Sequence, residues 1–229
     1  MLKDEHKLRQ PKRRLLRTEA AEILREAILA AHLVQGQKLN EKQLSEELGI
    51  SRGPLREAFR CLEQEGLVHS APYRGTFVVQ VTTQDVIDIL TFRELVEPFA
   101  MERALQASPM LSQSLEKLVS QMHRCAAADD KVGVAKAHTQ FHGLFYLNAG
   151  NRFLRLMWDR LEAPLQLYLL VHQTTFESLT DVAHGHERLV ELVTTGDSLE
   201  LEQEIHKHFH VNLDMLMAFL KEKGEEEVS

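Results

Sequence analysis

Apolar positions in the first third of the chain recur at helical spacing and then switch to alternation. Between Thr18 and Leu33, the residues Ala20, Ile23, Leu24, Ala27, Ile28 and Ala31 predict one amphipathic helix. Gln35-Gly36-Gln37 reads as a turn. Leu44 and Leu48, at i and i+4, predict a short helix that Gly49 stops, because glycine tolerates the left-handed conformation of a C-terminal cap. Ser51 is placed to cap the next helix through its hydroxyl, and Leu55, Ala58, Phe59 and Leu62 form that helix's buried face. Past Gly66, the segments Leu67–Ser70 and Thr76–Val79 read as two short strands around Ala71-Pro72-Tyr73-Arg74-Gly75. Helix, turn, helix and a hairpin with a basic tip together make a winged helix-turn-helix.

After Val81 the strand pattern stops. Val81-Thr82-Thr83 reads as a linker, and Gln84–Gln106 as a helix with Val86, Ile89, Leu90, Leu95 and Phe99 on one face and Pro98 as a candidate kink. Helices follow over about 111–128, 131–148, 151–175, 179–195 and 198–223, broken at Pro109, Asp129-Asp130, Gly150 and Gly196. The expected fold is therefore mainly α. A winged helix-turn-helix with a small β-hairpin occupies 18–81, after a basic arm at 1–17. An all-α antiparallel helical bundle occupies 84–223, before an acidic tail at 224–229.

Charge sharpens this division. The net charge is −7, but residues 1–82 carry 14 Lys+Arg against 11 Asp+Glu, and the remainder carries 13 against 23. The front end can approach a phosphate backbone that would repel the rear. No apolar run is long enough to span a bilayer, and Met1 to Arg17 lacks a signal peptide's apolar core. Cys61 and Cys125 form no CxxC pair, so a cytoplasmic setting without disulfides is expected.

Two constellations carry chemistry. Arg52, Arg56 and Arg60 repeat every four residues along the second helix of the hairpin; such a row fits any solvated face, but it also fits a helix that offers guanidinium groups to guanine edges in a major groove. Arg60 reads as surface. The second constellation is histidine: three precede residue 83 and nine follow it. His138 and His142 lie at i and i+4 on the stripe Val134, Phe141, Phe145. His186 lies on the stripe Val182, Ala183, Leu189, Val190, Val193, with His184 on the far side. His208 lies near the stripe Leu201, Ile205, Phe209, Asn212, Leu216, Phe219, while His206 and His210 point away. One such histidine is ordinarily a satisfied core residue. Four buried without partners would cost ~1–3 kcal/mol each, so convergence on one divalent transition-metal ion is the economical reading. Imidazole suits zinc, nickel, cobalt or iron, with zinc or nickel expected first.

Leu44-Ser45-Glu46-Glu47-Leu48-Gly49-Ile50-Ser51-Arg52-Gly53-Pro54-Leu55-Arg56-Glu57-Ala58, Leu62-Glu63-Gln64-Glu65-Gly66-Leu67-Val68 and Arg74-Gly75-Thr76-Phe77-Val78 resemble the DNA-binding domain of GntR-type bacterial transcription regulators. The resemblance implies DNA contacts from Lys42, Ser51, Arg52 and Arg56, and from Arg74 and Gly75 at the wing tip. Gly53 puts no side chain near the start of the reading helix, which shifts specificity to its neighbours and to DNA shape. More loosely, Phe141-His142, His186, His208, Gly150-Asn151 and Arg93-Glu94-Leu95-Val96-Glu97 resemble the FCD ligand-binding domain of the FadR subfamily. That implies metal ligation by His142, His186 and His208. His138 stands where the family usually has aspartate; a four-histidine site would keep the ion's full charge and favour an anion. Arg93 matches a position that faces the pocket, where it would clamp a carboxylate; the plainer alternative is a surface salt bridge to a nearby glutamate.

The expected function is a homodimeric transcription regulator, more in keeping with a repressor, that binds double-stranded operator DNA under control of a small organic acid bound beside the metal. One rival makes the metal itself the signal. Another is a His-ligated metalloenzyme; against it, no glutamate falls on the apolar stripes beside His138, His142 or His186 to act as a general base.

Overall fold

The structure is a computed structural model that describes residues 13–108, 110–172, 178–195, 199–201 and 203–209. Its contacts divide the chain into two compact units, Met1–Gln80 and Val81–Ser229.

The first unit begins with α1 (Arg13–Leu29), followed by β1 (Lys38–Leu39), α2 (Glu41–Glu47), α3 (Arg52–Gln64), β2 (Val68–Ala71) and β3 (Gly75–Val78). The three strands form an antiparallel sheet in the order β1-β3-β2. β1 was not expected; two residues are too few to show an alternating pattern. α1 also differs from expectation at both ends. It starts at Arg13, because no helix breaker separates Arg13 from Thr18, so part of the expected basic arm is helical. It stops short of Leu33 because Ala31 takes a positive φ of 57° and the Leu33 N–H turns back to the Ala27 carbonyl. Its buried face is Ala20, Ala21, Leu24, Ile28 and Leu29, while Ile23 is exposed. These pack against Leu55, Ala58, Phe59 and Leu62 of α3, all nearly inaccessible. Arg25 forks onto Glu65 with two bonds of 2.7 Å, fastening α1 to the end of α3. Gly49 has the left-handed φ of +63° expected of a helix stop.

The described residues of the second unit form helices and no strand: α4 (Thr83–Ala107), α5 (Leu111–Ala127), α6 (Lys131–Asn148), α7 (Arg152–His172) and α8 (Leu179–Thr195), with residues 199–201 and 203–209 also helical. The expected linker is shorter than its three residues. Thr82 caps α4 through a reciprocal capping box with Asp85, and Thr83 is already helical. The breaks expected at Pro109 and Gly196, the end of the 151–175 helix, the stripe residues Asn212, Leu216 and Phe219, His210, residues 1–12 and the acidic tail lie outside the described residues.

α6 packs against α4, α5, α7 and α8 and is buried nearly all round, from Val134 and Ala135 through Phe141 to Tyr146. A helix at the centre of a bundle needs apolar or internally paired side chains on every face. Small residues let its neighbours approach: a Cβ on Gly143 would sit 2.7 Å from the Trp158 ring of α7.

α4 corrects the expected stripe. Leu95 and Phe99 are exposed, at 81% and 49%, whereas Arg93 and Glu97 are 2% and 1% exposed. The buried set is Val86, Leu90, Arg93, Glu97, Ala100, Met101 and Ala104, which advances by alternating steps of about four and three residues. The expected stripe followed hydrophobicity and so lost phase after Leu90. The two charged residues can go inside because they pair with each other and Glu97 also meets His142 and Tyr146.

Gly143→Ala is expected to destabilise the protein by about 1–3 kcal/mol, since the buried indole or the helix spacing must shift. Urea unfolding at neutral pH checks this; an unchanged midpoint would show that Trp158 moves freely.

Candidate functional site

The metal-site histidines of the sequence converge. His138 and His142 come from α6, one turn apart; His186 comes from α8; His208 comes from the last helical segment. One ring nitrogen from each lies within 4.8 Å of those from all the others. Ring centroids are 4.6 Å apart for His138–His142 and for His138–His186, and 4.8 Å for His186–His208. His138, His142 and His186 are at most 4% exposed, and His208 is the most accessible of the four.

Partners outside the cluster assign the tautomers. His186 Nδ1 lies 2.6 Å from the Val182 carbonyl, which can only accept, so Nδ1 carries the proton and Nε2 presents a lone pair. His142 Nδ1 contacts the Glu97 carboxylate, leaving its own Nε2 as a lone pair. These two Nε2 atoms face each other at 3.0 Å. Two lone pairs at that distance repel unless a proton or a cation lies between them. His138 Nδ1 is buried with no hydrogen-bond partner among the described residues. Converging nitrogen lone pairs, an orphaned buried imidazole nitrogen and a carboxylate behind one ring are the arrangement of imidazoles that ligate a metal. The donor set fits a divalent transition-metal ion.

Glu97 is the site residue that sequence reasoning missed. It reaches the cluster from α4, not from the histidines' own apolar stripes, where no glutamate was expected, and it falls within a segment read only for its resemblance. The signal was its i+4 spacing from Arg93, in phase with Val86, Leu90, Ala100 and Ala104. Arg93 Nε donates to Glu97 Oε2 at 3.0 Å, and the Tyr146 hydroxyl donates to the same oxygen at a marginal 3.5 Å. Arg93 is thus in a salt bridge with a glutamate, but a buried one rather than a surface one. Its guanidinium carbon also lies 4.8 Å from the centre of the Phe209 ring.

Burial sets the protonation of the site. Desolvation holds His138, His142 and His208 well below the ordinary imidazole value and His186 at about 4; the positive charge of Arg93 pushes all four the same way. Desolvation raises the Glu97 carboxyl, and Arg93 opposes it. Because arginine stays charged, a buried Arg93–Glu97 ion pair beside neutral imidazoles is the charge-balanced state. Ligands of this kind need no deprotonation near neutral pH.

In the first unit, Lys42 and Arg52 are exposed at the starts of α2 and α3. Ser51 occupies the N-cap of α3, but its hydroxyl makes no capping bond, contrary to expectation. Arg56 is solvent-facing yet bound to Glu41 of α2 at 3.0–3.1 Å, and Arg60 pairs with Glu57 at 2.6 Å. At the wing tip, the Arg74 N–H closes a turn on the Ala71 carbonyl. Pro72 stands at the second position of that turn and Tyr73 at the third, with φ +61° and a fully exposed ring. A positive φ at this position ordinarily selects glycine or asparagine. The strain, together with the displayed aromatic, marks Tyr73 as a second residue that sequence reasoning did not single out. Gly75 follows with φ +105°.

Residues 16–78 match the description "Bacterial regulatory proteins, gntR family", and residues 88–211 match the FCD domain. The chain is 28% identical over 200 residues to a probable D-xylose utilization operon transcriptional repressor of Paenarthrobacter nicotinovorans, covering 86% of this chain and 88% of that protein. It is 23% identical over 192 residues to the gluconate operon transcriptional repressor of Bacillus subtilis (strain 168), covering 81% and 79%. Its fold resembles the crystal structure of a putative transcriptional regulator GntR from Rhodococcus sp. RHA1, with a TM-score of 0.76 at 20% identity over 88% of this chain and 97% of that one. The matched relatives are transcription regulators, not enzymes.

Glu97→Gln is expected to destabilise by about 3–5 kcal/mol, since Arg93 loses its counter-charge in a buried place. It should also lower metal affinity by about 10–100-fold through His142. Isothermal titration on the folded variant separates the second effect from the first. The histidines also set a pH dependence. Between about 4, for folded His186, and the unfolded value of ~6.5, the unfolded chain binds more protons than the folded one. Metal-free protein should therefore be fully stabilised above pH ~6.5 and lose stability as the pH falls toward 4, by ~3 kcal/mol from His186 alone. Denaturant midpoints at a series of pH values read this directly; midpoints that rise on acidification contradict it.

Proposed function

The chain belongs to the gntR family of bacterial regulatory proteins and carries an FCD domain, and from that premise we propose that it is a homodimeric repressor whose grip on operator DNA is set by a small carboxylate bound beside a metal ion. The observation that carries the reading is the meeting of four imidazoles next to a buried arginine.

His138, His142, His186 and His208 would hold the ion. When bound, it supplies a Lewis-acid contact for an anionic oxygen. Glu97 holds His142 by its outer nitrogen, and the Val182 carbonyl holds His186 in the same way. Four neutral imidazoles leave a divalent charge uncompensated, and the negative charge of Glu97 is matched by Arg93. The local excess is positive and favours an anion. Arg93 has five N–H donors and directs only two at Glu97, at 3.0 and 3.5 Å, so the guanidinium retains capacity for a carboxylate. One relative is named for the gluconate operon, and gluconate is a carboxylate. Two relatives are named as repressors, which favours that direction of control here.

Lys42, Ser51, Arg52, Arg56, Arg74 and Gly75 form the proposed DNA-reading surface, with Tyr73 beside them at the tip. Arg56 must exchange Glu41 for a base edge or phosphate on binding. Dimerisation accords with an exposed apolar face on α4 and α7, where Phe92, Phe153, Leu156 and Met157 line a cleft. A twofold dimer presents the same reading surface to each half of a pseudo-palindrome. For the carboxylate to act, it must bind the DNA-competent and DNA-incompetent arrangements with different affinity.

A second reading, in which the metal itself is the signal, draws on the same four imidazoles. Operator binding measured with metal alone, then with metal plus a panel of carboxylates, separates the two. The proposal expects a shift only when an acid is added; a shift with metal alone and none with any acid supports the sensor reading and overturns ours. Arg52→Ala and Arg56→Ala should each weaken specific binding by ~1–3 kcal/mol per lost base contact while leaving the bundle's metal content unchanged. Unchanged operator affinity would remove these residues from the reading surface.

A further inference from the structure

Three side chains outside the buried cluster come together on the solvent side of the bundle. His123 projects from α5, and His184 and Glu187 project from adjacent positions on one turn of α8. We propose that His123, His184 and Glu187 form a second, surface site for a divalent transition-metal ion of the zinc class.

The geometry is already close to a ligand set. His123 Nε2 lies 2.7 Å from Glu187 Oε1. The His123 and His184 rings are 5.2 Å apart between centroids with planes at 61°, edge to face. One donor atom from each of the three residues lies within 4.8 Å of the others. Tetrahedral zinc at ~2.0–2.1 Å from each ligand needs donors roughly 3.3 Å apart, so the 2.7 Å His123–Glu187 pair must open slightly and the wider separations must close by at most about 1.5 Å. His184 and Glu187 are exposed and His123 is partly so, which leaves them room to change rotamer. Two imidazoles and one carboxylate are a donor set that zinc accepts, with a fourth position left to water. The neighbouring carboxylate Glu191 is engaged by Arg188 at 2.6 Å, so Glu187 is the acid that faces the two rings. A plain His123–Glu187 ion pair is the simpler account. It would contribute little at the surface, and it leaves the approach of His184 without a role.

An ion here would tie α5 to α8 from the outside. α8 presents His186 to the buried cluster from its opposite face, so both sites would share one helix. With three ligands and open solvent, the surface site should be the weaker of the two.

The test uses tag-free full-length protein, stripped with chelator and then dialysed against zinc at several concentrations. Wild type is expected to hold one zinc per chain more than H123A/H184A, with circular dichroism unchanged because the replaced side chains lie at the surface. Glu187→Gln should weaken that extra site without removing it. Equal zinc content in wild type and H123A/H184A at every concentration would overturn the proposal. The comparison does not depend on the buried cluster. If that cluster holds no zinc, wild type should still exceed the double variant by one; if it does, H142A/H186A should lose the tighter zinc and keep the weaker.

Discussion

A buried ion pair on α4 organises the second unit. Arg93 and Glu97 sit at i and i+4, both essentially without solvent, on the face where a helix would ordinarily place leucine or phenylalanine. Removing two charges from water costs several kcal/mol per ion, and one salt bridge seldom restores it. The Glu97 carboxylate therefore accepts from more than Arg93. His142 donates to it through Nδ1 and Tyr146 reaches its edge. The consequence is directional. With Nδ1 committed outward, His142 can offer only its Nε2 lone pair to the interior, where it meets at 3.0 Å the Nε2 of His186, whose own Nδ1 is committed outward to the Val182 carbonyl. The site is thus preset by bonds made behind the rings rather than by the rings themselves.

The reading head follows a different logic. Its core is ordinary packing of α1 on α3, and its polar surface is held in reserve by weak, exposed pairs. Arg56 rests on Glu41, and Arg60 rests on Glu57. Such exposed, solvent-screened pairs contribute little and can yield to a phosphate or a guanine edge. Exposed charges that exchange partners cheaply suit contact with DNA, while buried charges that cannot exchange suit a fixed ligand cradle. On the proposed function, the two units divide these tasks along the charge asymmetry of the chain.

Much of this was legible in the sequence. The winged helix-turn-helix was readable because glycines at 49 and 66 and the turn at 71–75 punctuate strongly periodic segments. The four clustered histidines were readable because each lies in phase with an apolar stripe on its own helix. What escaped was the polar half of the core. Hydrophobicity favoured Leu95 and Phe99 over Arg93 and Glu97, and the tertiary contacts of Glu97 with His142 and Tyr146, added to its i+4 pairing with Arg93, reverse that preference. His123 and His184 escaped as a pair because they lie on helices separated by more than fifty residues of chain, and no local pattern records that α5 and α8 are neighbours. Ser51 was read as a hydroxyl cap from residue type alone, yet its side chain makes no such bond.

X-ray absorption at the metal edge, on tag-free protein with the surface histidines His123 and His184 replaced by alanine, addresses the buried cluster most directly. A first shell of four light scatterers at ~2.0–2.1 Å, with the outer-shell pattern of several imidazoles that weakens when His142 is also replaced, is what the converging lone pairs predict. A shell without imidazole, or protein that takes up no metal at all, would contradict the account.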